Sequence, residues 1–311
     1  MAKSSEADNI SDVEVPELKI GLEEMPSHQR YGNDVAHLVD FDGTVYDGDV
    51  GQLAAQHDES HIIGVENLDD FSTKVDERRN GREDISRGSE KANIIVEESD
   101  ADLDEIERVL TESQNTEHIR GGFSDLLEHE DIYMRDSEIE IVTAGVNAAA
   151  TDLLEDYDIG VTGADIKQNG EGYEADYCGR SEKPGRISDS MSNLDQFAPI
   201  AVGDSATDAD FMDDSVRAGG QAIAIEEGAE PYASVIASED SNYETVSVLH
   251  LIFDELYSTS SIESAEKRAE MFLGDKNYEL AEVEPGRHWN AATLEALSAY
   301  ERVRQSYEST A

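Results

Sequence analysis

Asp40 and Asp42 stand two residues apart, with Gly43 and Thr44 next, directly after the apolar run Val35-Ala36-His37-Leu38-Val39. A run of that kind reads as a buried parallel strand, so both carboxylates fall at its carboxyl end, where one can face a substrate while the other is offset. A carboxylate so placed can take a phosphoryl group as an aspartyl-phosphate, dividing one displacement into two. Its neighbour can protonate the leaving oxygen and then accept a proton from the attacking water. Asp40 is the candidate nucleophile and Asp42 the candidate acid and base. Taken alone, Asp-x-Asp-Gly-Thr is also an ordinary strand-to-turn junction.

Three further segments bear on the choice. Gly203-Asp204-Ser205-Ala206-Thr207-Asp208 follows the apolar run Pro199-Ile200-Ala201-Val202, and together with Asp40 it would supply the hard oxygen ligands that Mg2+ prefers. Ile139-Glu140-Ile141-Val142 ends at Thr143-Ala144-Gly145; the Thr143 hydroxyl and the amides of Ala144 and Gly145 could bind a phosphoryl oxygen, or simply cap a helix. Lys183, in Ser181-Glu182-Lys183-Pro184-Gly185, could hold phosphate and nucleophile together, or be a solvated loop lysine.

The elements that must position these groups alternate strand, polar loop and helix. Helical stretches follow the second and third strands at 146–157 and 209–216, and a further strand and helix are expected at 219–225 and 246–257. That pattern predicts an α/β fold: an open parallel Rossmann-like sheet with helices on both faces, binding ligands at the carboxyl ends of its strands. The expected division is an acidic lead-in at 1–33, a core at 34–46 and 119–257, a small mainly helical cap at 47–118, and a helical extension at 258–311. In the cap, 51–57 and 103–110 look helical, with polar sequence between. The extension carries amphipathic stretches at 262–273 and 290–307, which either pack on the core or mediate self-association.

The four motifs, in this order, resemble the haloacid dehalogenase superfamily of phosphohydrolases over roughly residues 35–228. The resemblance implies Asp40 as nucleophile and metal ligand, and Asp42 as acid and base with its backbone oxygen on the metal. It further implies Thr143 and Lys183 on the phosphoryl group, Asp204 on Mg2+, and Asp208 as a ligand or the holder of a bound water. A large insertion after the first motif is similar to the subgroup with a helical lid there, as in phosphoserine and phosphoglycolate phosphatases. Where relatives often carry Pro-Gly before the second motif, this chain has Arg120-Gly121-Gly122.

The expected activity is Mg2+-dependent hydrolysis of a small phosphate monoester. The alternatives are a phosphomutase or phosphotransferase using the same intermediate, and a regulatory binding protein that keeps the fold. Substrate choice would lie in the cap, where Arg78, Arg79, Arg82 and Arg87 fall close together and suit carboxylates or a second phosphate. The same arginines could instead pair with Asp76, Glu77, Glu83 and Asp84.

Composition narrows the setting. The chain has 311 residues, with 23 Lys+Arg against 72 Asp+Glu and a formal net charge of -49. A field of that sign argues against nucleic acid as a partner. It would also repel itself in dilute buffer, and the repulsion largely disappears at molar salt, which predicts a salt-rich cytosol as in a salt-accumulating halophile. One cysteine, Cys178, excludes an internal disulfide and fits a reducing cytoplasm. No apolar run reaches the ~18 residues of a membrane span, so no membrane association is expected. His57 and His61 share an i, i+4 spacing without the partner motif of a zinc helix.

Overall fold

The computed structural model describes residues 34–80, 87–128, 137–157, 159–170, 172–176, 178–190, 197–237, 243–274 and 276–309, so the expected acidic lead-in lies outside the described residues. β1 (Asp34–Asp40) sits inside a seven-stranded sheet between β2 (Glu138–Val146) and β6 (Phe197–Gly203). β3 (Gly160–Ala164) flanks β2, while β7 (Gln221–Ala224) and β8 (Val235–Ala237) continue past β6. These six strands are parallel, and β9 (Val283–Pro285) closes the far edge antiparallel to β8. The fold is thus the expected Rossmann-like α/β arrangement, and its strand order reverses at β1. That reversal opens a crevice at the carboxyl ends of the central strands.

Alternation along the central strands explains why both faces are covered. Val35 and Val39 of β1, Ile200 and Val202 of β6, and Ile223 of β7 enter one apolar cluster, which includes much of α9 (Tyr243–Thr259). Ala36 and Leu38, Ala201, and Ala222 and Ala224 enter a second cluster with Ile187 of α7 (Lys183–Ser190) and Phe211 and Met212 of α8 (Ala209–Arg217). Successive side chains of a strand point to opposite faces, so a strand buried on both reads as a continuous apolar run. By the same parity Asp40 shares the face of Ala36 and Leu38, the face of α7 and α8.

His37 falls on the other face, where its Nδ1 lies 2.6 Å from Nδ1 of His250 on α9, and His250 Nε2 lies 3.0 Å from the Tyr243 hydroxyl. Burial pushes His250 down to about 3, and burial plus His250 holds His37 well below the usual histidine value of 6.5. Both imidazoles are therefore neutral in the folded protein, and their contribution to stability is complete above pH 6.5 and lost as the pH falls below it. In urea titrations between pH 6.5 and 4.5, the wild type is expected to lose roughly 1–3 kcal/mol per pH unit more than a His37→Asn/His250→Asn variant. Parallel pH slopes for the two proteins would refute this.

Between β1 and β2 lie α1 (Val50–Gln56), α2 (Leu68–Arg79), α3 (Arg87–Glu97) and α4 (Leu103–Glu112), then α5 (Gly121–Glu128). The sequence reading anticipated α1 and α4 and read the stretch between them as polar. α2 and α3 form there because Phe71 and Val75 bury one face of α2, and Ile94, Ile95 and Val96 are buried on α3. The outgoing and returning segments are fastened to each other. Tyr46 pairs with Ile119 in an antiparallel bridge, Asp47 N donates to His118 O at 2.7 Å, and Arg120 N donates to Val45 O at 2.8 Å.

β2 leads into α6 (Asn147–Leu153), and a hairpin of β4 (Ile166–Asn169) and β5 (Gly172–Ala175) follows β3. At the other end of the chain, α10 (Ile262–Leu273) and α11 (Ala291–Glu308) pack against α9, with Phe272, Ala296, Ala299, Tyr300 and Val303 buried in the first cluster. Polar fastenings accompany them: Thr293 Oγ1 donates to Gln221 Oε1 at 2.8 Å, and Arg268 bridges Asp254 and Glu255 of α9. The C-terminal helices are therefore packed on the core, and β9 between them extends its sheet. Among the described residues no helix is long and apolar enough to cross a membrane.

Candidate active site

The carboxyl ends of β1, β2 and β6 and the starts of α7 and α8 meet at the reversal in strand order. Asp40, the last residue of β1, is buried, and its Oδ1 accepts from Lys183 Nζ at 2.5 Å while Oδ2 accepts from Thr44 Oγ1 at 3.2 Å. Lys183 is the first residue of α7 and is fully buried; its ammonium also donates to Asp208 Oδ1 at 2.7 Å. A lysine so deep in the core is held by charge. Burial alone would lower its pKa, but Asp208 and Asp40 raise it well above the ordinary lysine value.

Asp208 precedes α8 and braces the loop that carries Asp204. Its Oδ2 accepts from the backbone N–H of Asp204 at 3.2 Å and of Ser205 at 3.1 Å, and from the Ser205 hydroxyl at 3.2 Å. The two acidic loops then approach closely enough that a side chain would not fit between them. A Cβ on Gly43 would stand 2.3 Å from Asp204 Oδ2, and Gly43 has a φ of +84°. Glycine meets both demands, which is a physical reason for its place after Asp42.

Asp42 is half-buried and held from two sides: Oδ1 accepts from Val50 N at 2.8 Å and Oδ2 from Thr143 Oγ1 at 3.1 Å. Burial, then the Asp49 carboxylate, push its carboxyl up to about 6 against the lowering effects of the Val50 amide, Lys91 and Thr143. A group titrating near neutrality suits proton transfer in both directions. Thr143 lies within β2, which the sequence reading ended one residue earlier. The ladder to β3 loses its register between Val142 and Val146, and Gly145 N donates to Thr143 Oγ1 at 2.9 Å. Ala144 is in the same irregular stretch. The break aims the hydroxyl at Asp42.

Asp40, Asp204 and Asp208 each offer a carboxylate oxygen within 4.8 Å of the others. Three carboxylates stand against one ammonium there. Burial, then Asp208 and Glu226, push Asp204 up to about 7, and burial followed by Asp208 raises Asp40 well above the usual carboxylate range, with Lys183 opposing. A surplus of negative charge among hard oxygen donors fits Mg2+. Asp208 Oδ2 accepts three hydrogen bonds while each Asp40 oxygen accepts one among the described residues, so Asp40 and Asp204 keep more lone pairs for a cation.

Sequence reasoning gave no role in the site to three residues of this region. Arg120 Nη2 donates to the Gly43 carbonyl at 2.8 Å, holding the first loop from the returning end of the insertion. Asp49 caps α1 by accepting from Gln52 N at 2.9 Å, and Lys91 on α3 pairs with its other oxygen. Arg78 pairs with Glu97 at 2.6 Å and Glu98 at 2.8 Å, and Arg79 is half-buried on the same helix. Arg82 and the side chain of Arg87 lie outside the described residues.

Fold and site together define an α/β protein with a carboxylate and lysine centre at its topological switch point. No protein-family model matches the chain, and no curated protein matches it in sequence. Solved structures do share its fold. A gene product of Archaeoglobus fulgidus superposes with a TM-score of 0.52 at 13% identity, covering 88% of this chain and 96% of its own. A probable phosphoserine phosphatase from Vibrio cholerae gives 0.48 at 14%, covering 81% and 70%. Phosphoserine phosphatase, solved as an analogue of its phospho-aspartyl intermediate, gives 0.40 at 15%, covering 62% and 86%. At these identities the likeness concerns the fold alone, and it rests on the first of the three.

Proposed function

We propose that this chain is a Mg2+-dependent phosphatase of the haloacid dehalogenase type that hydrolyses a small phosphate monoester. The observation that carries the reading is the buried Asp40–Lys183–Asp208 triad beside Asp42 at the switch point. Asp40 and Asp204 would hold the cation together with the backbone carbonyl of Asp42, and the bound cation would neutralise phosphate charge so that an anionic nucleophile can approach.

The chain's own groups account for the rest. Lys183 and Thr44 fix the two Asp40 oxygens, restricting the carboxylate to one orientation. The Asp40 carboxylate attacks phosphorus, the bond to the leaving oxygen breaks, and Asp42 gives that oxygen its proton. Water then attacks the aspartyl-phosphate, Asp42 takes the water's proton, and inorganic phosphate leaves with Asp40 restored. Thr143 and Val50 keep Asp42 at one position through both proton transfers. A cytoplasmic setting and monomeric or self-associated action are both compatible with this chemistry.

The test is release of inorganic phosphate from p-nitrophenyl phosphate in molar KCl, chosen because of the net charge of -49. Release that depends on Mg2+ and stops with chelator is expected. Transfer to added alcohols in preference to water would favour the phosphotransferase alternative, and no release from a folded protein would overturn the reading.

A further inference from the structure

Gly43 is the pivot of the first loop. Asp42 precedes it, Thr44 follows it with a hydroxyl on Asp40 Oδ2, and its own φ is +84° with no side chain to limit it. Glycine holds a conformation least by itself, so the relation between the two flanking groups depends on what grips its peptide bonds. The N–H donates to Tyr46 O at 2.9 Å and to Gly48 O at 3.1 Å, within the loop. The carbonyl is gripped from outside, by Arg120 Nη2 at 2.8 Å, and among the described residues Arg120 is its one partner.

Arg120 is a firm anchor for that grip. Its N–H donates to Val45 O at 2.8 Å, and its carbonyl accepts from Phe123 N at 2.9 Å and Ser124 N at 3.2 Å in the first turn of α5. α5 in turn lies so close to α9 that a Cβ on Gly122 would stand 2.3 Å from Glu244 N, and Ser247 Oγ donates to Gly122 O at 2.9 Å. A proline at 120 could make neither bond to the loop. The Asp42 carbonyl, by contrast, accepts no hydrogen bond among the described residues, which leaves it open to a cation.

We propose that Arg120 is a positioning residue of the cation site: by holding the Gly43 carbonyl it fixes the turn of backbone that presents the Asp42 carbonyl to Mg2+ and the Thr44 hydroxyl to Asp40. This deepens the phosphatase reading and rests on it. The guanidinium acts through the loop, without touching cation or substrate. Its contribution to the fold is small, because its Nε is buried without a hydrogen-bond partner among the described residues, and an unpaired buried donor offsets what the bond to Gly43 gives. Arg120→Met keeps the backbone bond to Val45 and loses the grip on Gly43.

Binding of Mn2+ in place of Mg2+, read from the loss of its free EPR signal in molar KCl, tests this without turnover. Asp204→Asn is the control that identifies binding at this site among the many surface carboxylates. Arg120→Met is expected to bind Mn2+ about 10- to 100-fold more weakly than the wild type, the scale for a group that orients a metal ligand from outside the coordination shell. Its melting temperature in chelator should stay within about 4 °C of the wild type. Arg120→Lys, which restores a donor, should recover at least part of the affinity. Unchanged affinity in Arg120→Met overturns the proposal. So does a loss that comes with a collapsed melting transition, or one that Arg120→Lys does not recover, since the residue would then serve the fold alone. Wild-type binding that Asp204→Asn leaves untouched overturns the cation site itself, and both the phosphatase reading and this inference with it.

Discussion

Asp40→Asn is expected to reduce phosphate release by at least about 10^4-fold while leaving the protein folded, because the amide keeps the shape of the carboxylate but cannot form the acyl phosphate. Stability should hold or rise. Asp40 sits within a surplus of negative charge, and burial and Asp208 already raise its carboxyl well above the ordinary range. The amide also keeps an oxygen to accept from Lys183. Phosphate release and thermal melting measured on the same preparation check both halves. Turnover within tenfold of the wild type would remove Asp40 from the nucleophile's role, and a lost melting transition would mean that the carboxylate is needed for folding first.

The opposite sign is expected at the partner. Lys183→Met leaves the buried Asp40 and Asp208 carboxylates without the ammonium that bridges them at 2.5 and 2.7 Å. Breaking a buried pair by removing one member costs about 3–5 kcal/mol, since the remaining charge has neither water nor counter-ion. Urea denaturation should show that loss in chelator, and millimolar Mg2+ should return part of it by supplying positive charge between the same carboxylates. Turnover should be lost in either buffer. A variant as stable as the wild type in chelator would show that the carboxylates are already protonated in the resting protein, and that the lysine contributes little to the fold.

The legible part of this molecule was the part with a period. β1, β6 and α10 follow from apolar runs and helical spacing, and Asp40, Asp42 and Asp204 stand where the first two of these runs stop; Thr143 lies inside β2, and Lys183 opens α7, a place no run marked. α2 was not legible because it commits Phe71 and Val75 to the core and much of the rest to charge, and α3 because it buries the unbroken run from Ala92 to Val96, so in neither does the helical period stand out. The Asp49–Lys91 pair was hidden for another reason. Its members belong to different helices of the insertion, and only packing brings them together. The arginines drew notice by proximity in sequence, yet Arg78 meets Glu97 and Glu98 across the gap between α2 and α3. Adjacency along the chain says little about shared faces in a helical cluster.

Because the chain leaves the sheet and rejoins it along one paired seam, Tyr46 against Ile119 with Arg120 reaching back to Gly43, everything between is a cassette. Its two ends are held at a single point, while α3 packs on β2 and β5 and α4 on α6, so it rests on the sheet as well as hanging from the seam. The seam also ties the cassette to the site mechanically. Arg120 grips the loop of Asp42 from the cassette's own exit, so a shift of the cassette over a bound molecule would be felt at the carboxylate that handles the proton.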